Sequence, residues 1–157
     1  MNEDADDPRV ETWLIHDRIN RYLLDAIPDD AMAASLTARG RTVTDLFAHI
    51  HNVRLMWLKA AAPELLAGLD KLDPKAAAGR ERISGSLAAS GEAIAALLRQ
   101  SLAAGRIKGF KPHPSAFLGY LISHESHHRG QIEYVLRLAG TPVPDSISYG
   151  LWEWGVR

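Results

Sequence analysis

A chain of 157 residues, 46% hydrophobic and 24% charged, has the size and make-up of one globular domain burying roughly 68–70% of its unfolded surface. A formal charge of −1 and a pI near 6.6 give no global basic field to draw in nucleic acid, so no nucleic-acid partner is expected. The absence of cysteine excludes disulfides, thiolate metal ligands and a protein-borne sulfur nucleophile.

The opening MNEDADDPRV is acidic and lacks the basic-then-apolar order of a signal peptide, and no run of about 18 apolar residues exists. A cytoplasmic protein with no membrane partner is therefore expected. Apolar residues then recur at helical spacing, with no convincing run of period two. The first predicted helix covers about 8–27, with Pro8 suited to a first-turn position and Pro28-Asp29-Asp30 ending it. The second covers about 42–61, opened by Thr42-Val43-Thr44-Asp45 with its hydroxyl cap and acidic first turn. The third, rich in alanine, runs over about 79–104 to Gly105, and the fourth over about 114–139, with Gly140 as C′ residue and Pro142 beyond. Connections fall at 28–41, 62–78 and 105–113, the last locally basic. The tail, 141–157, carries the aromatic stretch Tyr149-Gly150-Leu151-Trp152-Glu153-Trp154, read as packing on the bundle rather than as a dimer contact or a flap. Four amphipathic helices without strands predict an all-α four-helix bundle.

The histidines acquire meaning once placed on these helices. At about 100° per residue, Phe117, Leu121, His124, His128, Ile132 and Val135 share one stripe of the fourth helix, with Gln131 close to His124 and with His127 and Glu125 at opposite edges. A single inward histidine is ordinarily a hydrogen-bonded core residue. Two on adjacent turns, with no carboxylate in the stripe, are harder to satisfy that way, and a divalent ion satisfies both. His49 lies on the apolar face of the second helix with Leu46, Ile50, Val53, Met56 and Trp57, whereas His51, about 200° round, is expected in solvent. Three neutral imidazoles would leave a position open for water or substrate. In the first helix Trp13, His16, Asp17, Asn20, Leu23, Leu24 and Ile27 form one stripe, and Ile15, Ile19, Tyr22 and Ala26 a second on the opposite side. Which faces the bundle centre is open on this pattern, and His16 is expected at the surface. The two apolar faces also make a homodimer plausible.

His124-Glu125-Ser126-His127-His128 spells HExxH, the helix signature of zinc metalloproteases. Its surroundings do not fit a protease. No histidine follows His128, Glu153 falls in the aromatic tail rather than a predicted helix, and no strands precede the motif.

Four stretches together have a familiar look: RINRYLLDAIPDD, TDLFAHIHNVRLMWL, YLISHESHHRGQIEYVLRLAGTPVPD and YGLWEWG. The chain resembles the DinB/YfiT-like superfamily of metal-binding four-helix bundles over nearly its whole length, with the third helix alike only in general character. The resemblance places the metal triad on His49, His124 and His128, the residues that helix geometry already points inward. His127 matches an adjacent histidine that the resemblance does not make a ligand, and Arg129 and Gln131 match the RGQ that follows. The resemblance implies a divalent ion, zinc or nickel, and either a thiol-dependent S-transferase using a low-molecular-weight thiol or, second, a hydrolase acting on a small-molecule substrate. The alternative is a non-catalytic metal-binding structural or sensor protein. Glu125, His127 and Gln131 are the candidates for proton transfer or for supporting the ligands.

Overall fold

The computed structural model describes residues 7–76 and 79–157; the acidic opening 1–6 and the last two positions of the 62–78 connection lie outside them. Among the described residues the protein is all-α, with four long helices, α1 (Pro8–Asp25), α2 (Val43–Ala61), α3 (Arg80–Ala104) and α4 (Pro114–Leu138), followed by a short α5 (Asp145–Gly150).

The ends follow the local chemistry of the sequence. Asp7 caps α1 by accepting from the Arg9 backbone N–H at 2.9 Å, and Pro8 takes a first-turn position where a missing N–H costs nothing. Thr42 and Asp45 form a reciprocal capping box on α2, with bonds of 3.0 and 2.7 Å. Gly140, at φ 79°, ends α4 with the Thr141 N–H bonded back to the Leu136 carbonyl at 2.9 Å. α1 stops at Asp25, two residues before the predicted end, because Ala26 and Ile27 tighten to carbonyls three residues back. The connections predicted as plain loops contain 3-10 turns at Asp29–Ala33, Pro63–Leu66 and Pro74–Ala76.

Two apolar clusters fill the bundle. One gathers Ile19, Leu23, Ile50, Leu87 and Ile132; the other gathers Trp13, Leu58, Ile94, Phe117 and Leu121. Along α1 and α4 the chain passes from the second cluster to the first, and along α2 and α3 from the first to the second. α2 and α3 thus run the same way, joined by the long 62–79 crossing. On every helix the step between clusters is a buried polar position: His16, Asp17 and Asn20 on α1, Arg54 on α2, Ser90 on α3 and Glu125 on α4.

The first stripe of α1 therefore faces inward, and His16, expected at the surface, is fully buried with its Nε2 2.9 Å from Glu125 Oε2. His51 is also not in solvent. The chain around residues 70–72 folds back over that face of α2, joined to it by paired 2.9 Å bonds between Asn52 and the Leu72 backbone. His51 is held at 2.8 Å by the Asp70 carbonyl and at 3.0 Å by Ser90 Oγ. The tail packs through Leu151, Ile147 and Trp154, as expected, but leaves Tyr149 73% and Trp152 79% exposed.

Gly91 on α3 is where Asp17 needs room. A Cβ there would lie 2.6–2.8 Å from the Asp17 carboxylate, which Arg54 at 2.7 Å and Arg21 at 3.0 Å hold in place. Gly91→Ala gains about 0.8–1.0 kcal/mol of helix propensity, but overpacking costs about 1–3 kcal/mol. Thermal denaturation should show the variant less stable than the parent; an equal or higher melting temperature would mean that Asp17 is free to move.

Candidate metal centre

The capping box starts α2 so that His49 falls on its inner face, while α4 presents His124 and His128 one turn apart. The three imidazoles meet where α2 packs on α4, with ring centroids 4.6 Å apart for His49–His128 and His124–His128 and 5.3 Å for His49–His124. One ring nitrogen from each lies within 4.8 Å of the others. These are the three residues expected to converge.

The hydrogen bonds around the rings suit a bound cation. Gln131 Oε1 accepts from His128 Nδ1 at 2.8 Å, so this ring carries its proton on Nδ1 and offers the Nε2 lone pair. That Nε2 faces His124 Nε2 at 3.2 Å. Two nitrogens bound at 2.0–2.1 Å in tetrahedral directions lie about 3.3–3.4 Å apart, so this pair already has nearly the spacing of two ligands to one ion, with the His49 nitrogen within 4.8 Å of both. His124 Nδ1 is buried without a hydrogen-bond partner among the described residues.

Electrostatics favour the ligand form of all three. Burial lowers the pKa of each, and for His49 the charges of His128, Arg41 and His124 add to it, bringing the value to about 4. Neutral imidazoles with free lone pairs are the form that binds metal.

The other sequence candidates take different places. His127 is exposed, its ring 5.0 Å from that of His128 and outside the converging three. Gln131 orients His128. Glu125 turns away to the buried polar layer, where Arg54 donates two bonds at 2.7 and 2.8 Å and Asn20 one at 2.9 Å. Burial alone would raise its carboxyl, but the Arg54 charge and hydrogen bonds, with His16, outweigh that and hold it at about 2. In HExxH zinc enzymes this glutamate serves as the base; here both of its oxygens are occupied. Arg129 ties α4 to α1 through a 2.8 Å bond to Asn20 Oδ1.

Sequence reasoning missed Arg54, fully buried between Asp17, Glu125 and the Leu87 carbonyl, with its guanidinium 4.9 Å from the centre of the Trp13 ring. A signal was present. Phe47, Ile50, Arg54 and Leu58 recur at steps of three and four, which places an arginine in the apolar stripe of α2.

Two pockets flank the centre. One, of about 380 Å³, is bordered by His49, Arg39, Arg41, Asp45 and Asn52; the other, of about 490 Å³, by Arg41, Gln131, Leu46 and Tyr134. Tyr120 stacks on His124 at 6.2 Å on a further side, backed by Trp57, Phe110 and Phe117.

Comparison with known proteins agrees with this architecture. The sequence matches the DinB family over residues 1–154. A crystallographic DinB-like protein from Bacillus cereus ATCC 10987 is similar in structure, with a TM-score of 0.60 and 22% identity, over 87% of this chain and 93% of that one. At that identity the likeness speaks for the fold. Among curated proteins, none matches the sequence. No described helix is long and apolar enough to cross a membrane.

Proposed function

The chain belongs to the DinB family, and on that premise we propose that it is a metal-dependent enzyme, a thiol-dependent S-transferase first and a hydrolase second. The observation that carries this reading is the convergence of His49, His124 and His128 beside two open pockets. A divalent ion there, zinc or nickel, supplies Lewis acidity that favours the thiolate of a cosubstrate thiol or activates water.

The protein's own groups favour the transferase. Among the described residues, two carboxylates near the site have structural duties: Glu125 binds Arg54 through both oxygens, and one Asp45 oxygen accepts from the Thr42 N–H. Hydrolysis needs a group to receive and return a proton during attack by water, whereas a thiol acidified by a bound ion would release its proton to solvent before attack and need no base in the transfer step. With no cysteine in the chain, the sulfur comes on the small molecule. Gln131 fixes the His128 tautomer, and Tyr120 covers one face of His124. We place the site in one cytoplasmic domain that acts on small molecules rather than nucleic acid. The same commitment of Glu125 and Asp45 favours, as second reading, a non-catalytic ion that staples α2 to α4.

A panel of low-molecular-weight thiols with electrophilic acceptors, run on the metal-loaded protein beside ester and amide substrates, separates these readings. The transferase predicts thiol-dependent turnover that His128→Ala abolishes. Turnover unaffected by that substitution, or none with any thiol, would sink it. Chelation-sensitive melting without turnover is the signature of the staple.

A further inference from the structure

We propose that Arg41, with Arg39 beside it, is the docking point for a carboxylate on the small molecule that reaches the histidine centre, so that the substrate class is an acid. The inference rests on the proposed function above and adds the chemistry that selects the ligand.

The two arginines flank Gly40, at the end of the turn closed by its N–H on the Thr37 carbonyl at 3.0 Å. Both are exposed and border the pocket that His49 opens into, and Arg41 also borders the pocket next to Gln131. One guanidinium thus stands on both approaches.

What sets these two cations apart is their place on the pocket beside His49. Arg9, Arg21, Arg54, Arg80 and Arg157 each have a carboxylate within 3.4 Å. Arg39 and Arg41 have no carboxylate or hydrogen-bond partner among the described residues. Asp45 shares the first pocket, but one of its oxygens is taken by the Thr42 N–H, and a single carboxylate cannot balance two guanidiniums. The pocket keeps surplus positive charge even before a divalent ion is added. A planar guanidinium offers paired donors that match a carboxylate, and the pocket beside it has room for a small molecule reaching towards the histidine nitrogens.

The test uses full-length protein loaded with cobalt(II), the sulfur-to-cobalt absorption band reporting binding without turnover. The probes are 3-mercaptopropionate and the neutral 2-mercaptoethanol. The acid should bind at least about tenfold more tightly, the size of one charge-assisted contact. Arg41→Gln should erase most of that preference, read as the ratio of the two affinities on the same variant, and Arg41→Lys should keep part of it. Equal affinities in the parent would overturn the inference. So would a preference that survives Arg41→Gln, which would mean that the carboxylate binds cobalt directly. Failure of cobalt uptake, or of any sulfur band, would take the proposed function down with it and is visible before the thiols are compared.

Discussion

Arg54→Ala is expected to lose about 3–5 kcal/mol of stability, the cost of removing one partner from a buried ion cluster. Domains of this size lose about 2–4 °C per kcal/mol, so melting should fall on the order of 10 °C. Arg54 is fully buried and bonds Asp17 at 2.7 Å and Glu125 at 2.7 and 2.8 Å. Without it, two carboxylates stay out of water with only Arg21, His16 and Asn20 beside them. The penalty belongs to the stranded charges rather than to a large intrinsic worth of the cluster. Arg54→Met combined with Asp17→Asn and Glu125→Gln should therefore lose clearly less than Arg54→Ala alone. A single variant melting within about 1 °C of the parent would show that water reaches the cluster.

The second large effect concerns the ion. His49→Ala, His124→Ala and His128→Ala should each weaken divalent-metal binding by more than about 100-fold, beyond the 10–100-fold typical of losing an outer hydrogen-bond partner. A ligand at 100 times its dissociation constant adds about 2.7 kcal/mol to the native state. Chelation should thus lower the melting temperature of the parent and leave the three variants unmoved. Elemental analysis of purified and metal-reloaded protein is the direct measurement. A parent that holds no stoichiometric zinc, nickel or cobalt even after reloading would remove the site.

How much of this was legible in the sequence depended on the range of the interaction. Helix ends rest on neighbours a few residues apart, such as Thr42 with Asp45, and those ends fell close to prediction. The inward direction of His49, His124 and His128 follows from helical spacing alone, and the structure brings the three together. His51 could not be placed that way, because a connection about twenty residues downstream covers it. His16 failed for a related reason: its partner Glu125 lies more than a hundred residues away, on a helix edge that periodicity does not mark as buried. Arg54 was legible but was not recognised, since an arginine in an apolar stripe announces a buried anion only when its partners are sought elsewhere.

The charged step between the two apolar clusters also sets the heights at which the helices meet. Sliding α2 along α4 by one turn, about 5.4 Å, would move Arg54 off Glu125 and set each against hydrocarbon. Hydrophobic side chains alone tolerate such slippage far better than a two-pronged ion pair does. His49 lies five residues before Arg54 on α2, and His124 and His128 lie one residue before and three after Glu125 on α4. The pair therefore works as an alignment pin. By locking two antiparallel helices at one offset, it brings the three imidazoles level before any ion arrives.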